Sequence, residues 1–195
     1  MNIYKDGELL QANLNNIEDL DRLWKRITKE VAEEQKYIKY VEIDQTPMYD
    51  SYELYIVQNY ELIQSLNIVT ITASESLNES IEGVFEYSAR VINELADIYR
   101  PLYVEIDQCN WDQVVALIEG MEWTVNAIGF CLVLINQTGE KIELKQVMED
   151  LQQNLQEQFL VMDQLLKEED LIGFADILQY EIEPLLIKFI QTVKG

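Results

Sequence analysis

Among its 195 residues the chain has no histidine, three prolines and two cysteines, and only 14 basic residues against 36 acidic ones. Each shortage removes a class of function. Without histidine there is no Ser–His or Cys–His nucleophile pair and no HExxH zinc site. The Glu-x-x-His pairs from which di-iron bundles are built are also missing. Cys109 and Cys131 form neither a CxxC pair nor a disulfide framework. Cys131 lies in an apolar run and reads as a small buried hydrophobe, so a reducing, cytoplasmic location is expected. The longest apolar run, Ile128–Ile135, is broken only by Gly129 and is far too short to span a bilayer. The first residues, MNIYKDGELL, lack a basic segment followed by an apolar one, so no secretory signal is expected. Neither a Walker-type P-loop nor GxGxxG occurs, so no phosphate cradle is expected either. No catalytic, cofactor or metal residue is assigned.

Charge is distributed unevenly. Through Lys39 there are 7 basic and 8 acidic residues; from Tyr40 onward there are 7 basic and 28 acidic. No Lys or Arg stands between Lys39 and Arg90, or between Arg100 and Lys141. Such a surface repels phosphate backbones and anionic bilayers, so neither direct nucleic-acid binding nor membrane attachment is expected. The plain reading is a solubilising surface. The sharper reading is a dock for a basic protein partner, or a mimic of nucleic acid.

With 48% apolar residues the chain can bury a substantial core. Asp6-Gly7 between short apolar runs reads as a hairpin turn. Asn15 or Asn16 can cap a helix whose apolar stripe is Ile17, Leu20, Trp24, Ile27 and Val31. Tyr37–Asp44 alternates as a strand, with Ile38, Tyr40 and Glu42 on one side and Val41 and Ile43 on the other. A short helix over 51–66 and a β-branched strand in NIVTITAS come next. Residues 1–72 thus read as a small ββαβαβ domain.

From residue 73 the period becomes helical. TASE (Thr72–Glu75) and SLNE (Ser76–Glu79) are candidate capping boxes. Leu77, Ile81, Val84, Val91, Leu95 and Ile98 form one stripe, with Ser88 as its polar entry and Pro101 expected to end or kink the helix. The next helix, from Trp111 to Ile135, has the most regular stripe. A third spans about 140–167. A fourth carries Leu171, Phe174, Leu178, Ile182, Leu185, Phe189 and Val193, with a kink expected near 180–183 ahead of Pro184. Four amphipathic helices with short connections suit an antiparallel bundle over 73–195, giving an α+β chain overall. Gly120 and Gly129, costly inside a helix, suggest close helix approach.

YVEIDQ occurs at Tyr40–Gln45 and again at Tyr103–Gln108. The flanks share no pattern, so the echo reads as coincidence, with the second copy expected as a connector. The acidic pairs Glu105/Asp107 and Glu168/Glu169/Asp170 lack calcium-loop spacing and read as solvated turns. Six of the eleven tyrosines lie between Tyr37 and Tyr60. Tyrosine suits interfaces, having an apolar ring and a polar tip. Tyr49, Tyr52, Tyr55 and Tyr60 are therefore the candidate partner-binding residues, with cation–π contacts to a basic segment assisting. The plainer reading makes these rings part of the small domain's core.

Two segments, LIEGMEW (Leu117–Trp123) and FADILQYEIEPLL (Phe174–Leu186), resemble those of a family of small acidic proteins from Gram-positive bacteria with no assigned function. In that family a GDF-like turn precedes the second segment, whereas here it reads DLIGF. The resemblance implies a bacterial, cytoplasmic, helical protein and carries across no catalytic residue. The functional expectation is a non-catalytic adaptor or chaperone-like protein. The alternatives are a nucleic-acid mimic and a metal protein or enzyme working through carboxylates alone.

Overall fold

The computed structural model describes residues 1–14, 16–104 and 111–194. The chain divides into two compact units, 1–76 and 77–195. The first contains β1 (Asn2–Lys5), β2 (Glu8–Gln11), α1 (Ile17–Glu33), β3 (Lys36–Ile43), β4 (Thr46–Met48), α2 (Tyr52–Asn59) and β5 (Ser65–Thr72). The strand order is β2-β1-β5-β3-β4, with β5 parallel to β1 and antiparallel to β3. Asp6 and Gly7 both have positive φ, as a two-residue hairpin loop with right-handed twist requires. The Asp6 carboxylate accepts from Thr70 N–H at 2.7 Å and from the Thr70 hydroxyl at 2.8 Å, fixing the hairpin to the central strand. One face of the sheet joins α1 and α2 in a core that includes Ile3, Val41, Ile43, Leu66, Ile68, Leu20, Ile27 and Ile56. Asn16 caps α1 by accepting from Asp19 N–H at 2.7 Å.

Two expectations for this unit need correction. The order is ββαββαβ, because Thr46–Met48 pairs with β3 to make a second hairpin. Its two-residue loop, Asp44-Gln45, has positive φ at both positions without a glycine, and its strand contains Pro47. Proline is tolerated there because β4 lies at the sheet's edge. The second correction concerns β3. A one-residue bulge at Lys39 breaks the alternation, so Ile38 packs against the same core as Val41 and Ile43.

Thr72 and Glu75 form a reciprocal capping box at the start of α3 (Ala73–Val104). Glu75 N–H donates to Thr72 Oγ1 at 3.2 Å, while Glu75 Oε2 accepts from Thr72 N–H at 3.0 Å. The SLNE segment lies inside this helix. So does Pro101: the helix continues to Val104, and the second YVEIDQ copy begins in helical conformation. Its remaining residues, with Glu105 and Asp107, lie outside the described residues. The first copy is strand and turn.

The second unit continues with α4 (Trp111–Thr138), a 3-10 turn at Ile142–Leu144, α5 (Lys145–Lys167), α6 (Leu171–Asp176), a π-helical turn at Ile177–Ile182 and α7 (Glu183–Lys194). The α3 stripe is buried as a set, and Ser88 satisfies its hydroxyl by donating to Val84 O at 2.7 Å. By length and composition α4 is long and apolar enough to cross a membrane, which the length of Ile128–Ile135 alone does not reveal. In the fold, Val114, Leu117, Met121, Ile128 and Ile135 are buried.

The π-helical turn sits immediately before Pro184. Glu183 N–H donates to Leu178 O, five residues back, where an α-helix would use the residue four back. The wider turn shifts the phase of α7. As a result Leu186, not the expected Leu185, enters the core with Phe189.

Glycines set two helix contacts. A Cβ on Gly129 would lie 2.9 Å from Gln152 Nε2 of α5. At Gly120 it would lie 1.9 Å from the Tyr87 hydroxyl oxygen and 2.4 Å from its Cζ, because that α3 ring lies directly across α4. The Tyr87 hydroxyl donates to Leu117 O at 3.3 Å, and the ring meets Trp123 edge-on with centroids 5.8 Å apart. The Arg90 guanidinium stands over the Tyr87 ring, 5.3 Å from its centroid.

Gly120→Ala is expected to lower stability by about 1–3 kcal/mol through overpacking against this pinned ring. In a Tyr87→Ala background the same change should instead raise stability by about 1 kcal/mol, because only helix propensity remains. Urea unfolding of the four chains measures both. Burial pushes the Tyr87 hydroxyl up to about 12. The folded state thus resists ionisation that the unfolded chain undergoes near pH 10. The stability this represents is complete below about pH 10 and is lost as pH rises towards 12. Unfolding curves taken between these limits should decline more steeply for the wild type than for Tyr87→Phe.

Candidate protein-binding surface

In the first unit, α1 and α2 do not close over the sheet completely. Between them runs a groove of about 250 Å³ lined by Ile17, Leu20, Asp21, Trp24, Glu53, Ile56 and Val57. Its floor is the buried Leu20 and Ile56, and its walls are the exposed Ile17 and Val57. The Trp24 indole N–H donates to Glu53 Oε1 at 3.2 Å, and the Trp24 ring packs on Tyr52 with centroids 5.8 Å apart. These two contacts hold α2 against α1. At the rim, Asp21 pairs with Lys25 at 2.6 Å.

The cause lies in the sequence of α2. Leu54, Tyr55, Ile56 and Val57 are consecutive, so they point in all directions around a helix of 3.6 residues per turn. One side alone can meet the sheet, and Ile56 is the one α2 residue that is buried. Leu54, Tyr55 and Val57, with Leu62 just beyond the helix, remain exposed at 61, 44, 59 and 77%. Several exposed apolar residues on one short helix exceed the scattered single exposure that is ordinary at a protein surface. Ser51, the cap of α2, has positive φ and no side-chain cap bond, so the eight-residue helix depends on its tertiary contacts.

The four tyrosines fall into different settings. Tyr52 and Tyr60 pack against the core, and Tyr60 donates to Leu14 O at 3.3 Å. Burial, with the nearby Glu53 carboxylate adding to it, raises the Tyr52 hydroxyl above its ordinary value. Burial and then Asp19 do the same to Tyr60. Tyr49 is 67% exposed and lies against Tyr40 of β3, with centroids 5.3 Å apart. Tyr55 is exposed on α2. No two of the four are in ring contact. Composition singled out the tyrosines and not the exposed or groove-lining Ile17, Trp24, Leu54, Val57 and Leu62. For Leu54 and Val57 the usable signal was a run of apolar residues longer than one helical face can bury.

Nothing in the groove's lining pairs a nucleophile with a base. Elsewhere, Asp170 is used as a cap, accepting from Gly173 N–H at 2.9 Å, and Glu168 accepts from Gln164. Among the described residues, no three carboxylates or thiols stand together as a metal site would need.

A five-stranded sheet followed by helices defines a mixed α+β protein. Residues 79–192, more than half the chain, match the family described as a domain of unknown function (DUF8042), and the chain belongs to that family. Both segments singled out in the sequence, Leu117–Trp123 and Phe174–Leu186, fall inside the match. Comparison with curated proteins and with solved structures gave no match.

Tyr49→Ala and Tyr55→Ala should leave the melting temperature within a degree or two and weaken binding of any partner that uses this surface. Tyr52→Ala and Tyr60→Ala should lower the melting temperature by several degrees. Thermal unfolding of the four variants separates the two groups.

Proposed function

We propose that this is a non-catalytic protein-binding protein of the bacterial cytoplasm, an adaptor or chaperone-like holder whose partner is basic. The observation that carries the reading is the α1/α2 groove, apolar along its length and open to solvent, with Glu53 and Asp21 at its edge. On the α2 side the charge supports the choice of partner, since no Lys or Arg occurs between Lys39 and Arg90, while on the α1 side Asp21 is paired with Lys25. A segment bearing an apolar side chain and a nearby Lys or Arg would bury the first in the groove and place the second against acid. In the second unit we propose that α3, α4, α5 and the α6–α7 run close as an antiparallel four-helix bundle. The Gly120–Tyr87 and Gly129–Gln152 contacts support that reading.

The test is affinity capture from the native host with the wild-type chain and with Val57→Glu, at low and raised salt. Val57 is 59% exposed, so the fold should tolerate the change. A protein retained by the wild type and lost from Val57→Glu is the expected result. Equal retention by both chains, or no protein retained at any ionic strength, removes the proposal.

A further inference from the structure

Helix α4 carries two stripes, and the fold buries only one. Opposite its buried side, Val115, Glu119, Glu122, Asn126, Phe130 and Val133 succeed one another at steps of four, three, four, four and three, the spacing of a single helical face. All six are exposed. Three are apolar and two acidic, and α4 has no Lys or Arg anywhere along its length. Exposure reaches 53% at Val115, 42% at Phe130 and 61% at Val133.

Beside this stripe stands Trp123, 48% exposed and already held in place. Its ring meets Tyr87 edge-on and lies close to Gly83, where an added Cβ would make an ordinary van der Waals contact of 3.5 Å with the indole Cη2. An aromatic anchor with its rotamer set loses little freedom on binding, which is why such residues dominate association energies. From Val115 to Val133 the face is about 27 Å long, about five helical turns.

We propose that this face of α4 docks an amphipathic helix of another protein, with apolar residues meeting Trp123, Phe130 and Val133 and Lys or Arg residues meeting Glu119 and Glu122. The charge pattern selects the occupant. A second copy of this chain would bring a net charge of −22 against another −22, and would set acid near Glu119 and Glu122 with no base on α4 to answer it. A basic helix meets both the apolar and the acidic parts. The face lies within the residues shared with the family, and it is separate from the α1/α2 groove, so either surface can fail without the other.

The probe is a fluorescein-labelled amphipathic helix of Leu and Lys, about 18 residues long, titrated with the full chain and followed by anisotropy at near-physiological salt. The wild type should bind it. Phe130→Glu with Val133→Glu should weaken binding at least about tenfold, with helix content and melting temperature retained. Leu160→Glu on α5, where the residue is 76% exposed, should bind as the wild type does, and repeating the titrations in a Val57→Glu background removes any contribution of the α1/α2 groove. The double variant adds negative charge, so a purely electrostatic association would tighten. Binding equal to or tighter than wild type overturns the proposal, and so does equal weakening by Leu160→Glu. If the double variant unfolds, Glu119→Gln with Glu122→Gln replaces it, and an unchanged affinity and salt dependence then overturns the proposal. Sedimentation at rising concentration completes the test: a dimer abolished by the α4 changes would assign the face to a second copy and overturn the proposal.

Discussion

Everything in the second unit rests on apolar stripes that must be taken out of water while carboxylates stay in it. From Tyr40 onward 28 acidic residues face 7 basic ones, and their mutual repulsion works against any compact state. The opposing contribution is burial of residues such as Leu77, Leu95, Ile128, Leu134, Leu155 and Phe174, each essentially inaccessible. A fully buried Leu or Phe side chain contributes about 1.5–3 kcal/mol, and surface ion pairs of the kind seen along α1 contribute about 0–1 kcal/mol. Apolar burial therefore outweighs ion pairing. It also sets what the helices must look like: acid outside, one continuous stripe inside, and glycine wherever a neighbouring side chain lies across the backbone. Gly120 under Tyr87 shows the last requirement most directly.

The stripes were readable in advance because helical period leaves a direct trace in sequence. The expected stripe of α3 is buried throughout, down to Ser88 as the polar member of its row. Two of the departures share one cause, an extra residue entering a regular element. The bulge at Lys39 returned Ile38 to the core side of β3, and the π-helical turn before Pro184 exchanged Leu185 for Leu186. Proline made a disturbance of the last helix foreseeable. Whether the helix would break, bend or widen depended on what its neighbours could bury. At Pro101 the helix simply runs on to Val104.

Function was less legible, since binding surfaces are defined by what remains uncovered. The tyrosine-rich stretch was conspicuous by composition, yet Tyr52 and Tyr60 are largely occupied by the core and the open surface belongs to Leu54, Val57 and Leu62. In α4 the most regular buried stripe drew attention away from the opposite side, where Val115, Phe130 and Val133 are also apolar. Both surfaces arise from one circumstance: the helix carries more apolar positions than its own unit can cover.

The sequence by itself determined the absence of histidine chemistry, the sign and distribution of charge, the existence of the long helices and the face that α3 presents to its core. These are local properties, set by residue type and by a repeat of a few residues. Tertiary structure alone decided that Thr46–Met48 would add a strand, that Pro184 would be met by a wider turn, and which apolar residues of α2 and α4 would stay in water. Those outcomes depend on residues far apart in the chain competing for the same space, and spacing along the chain carries no record of that competition.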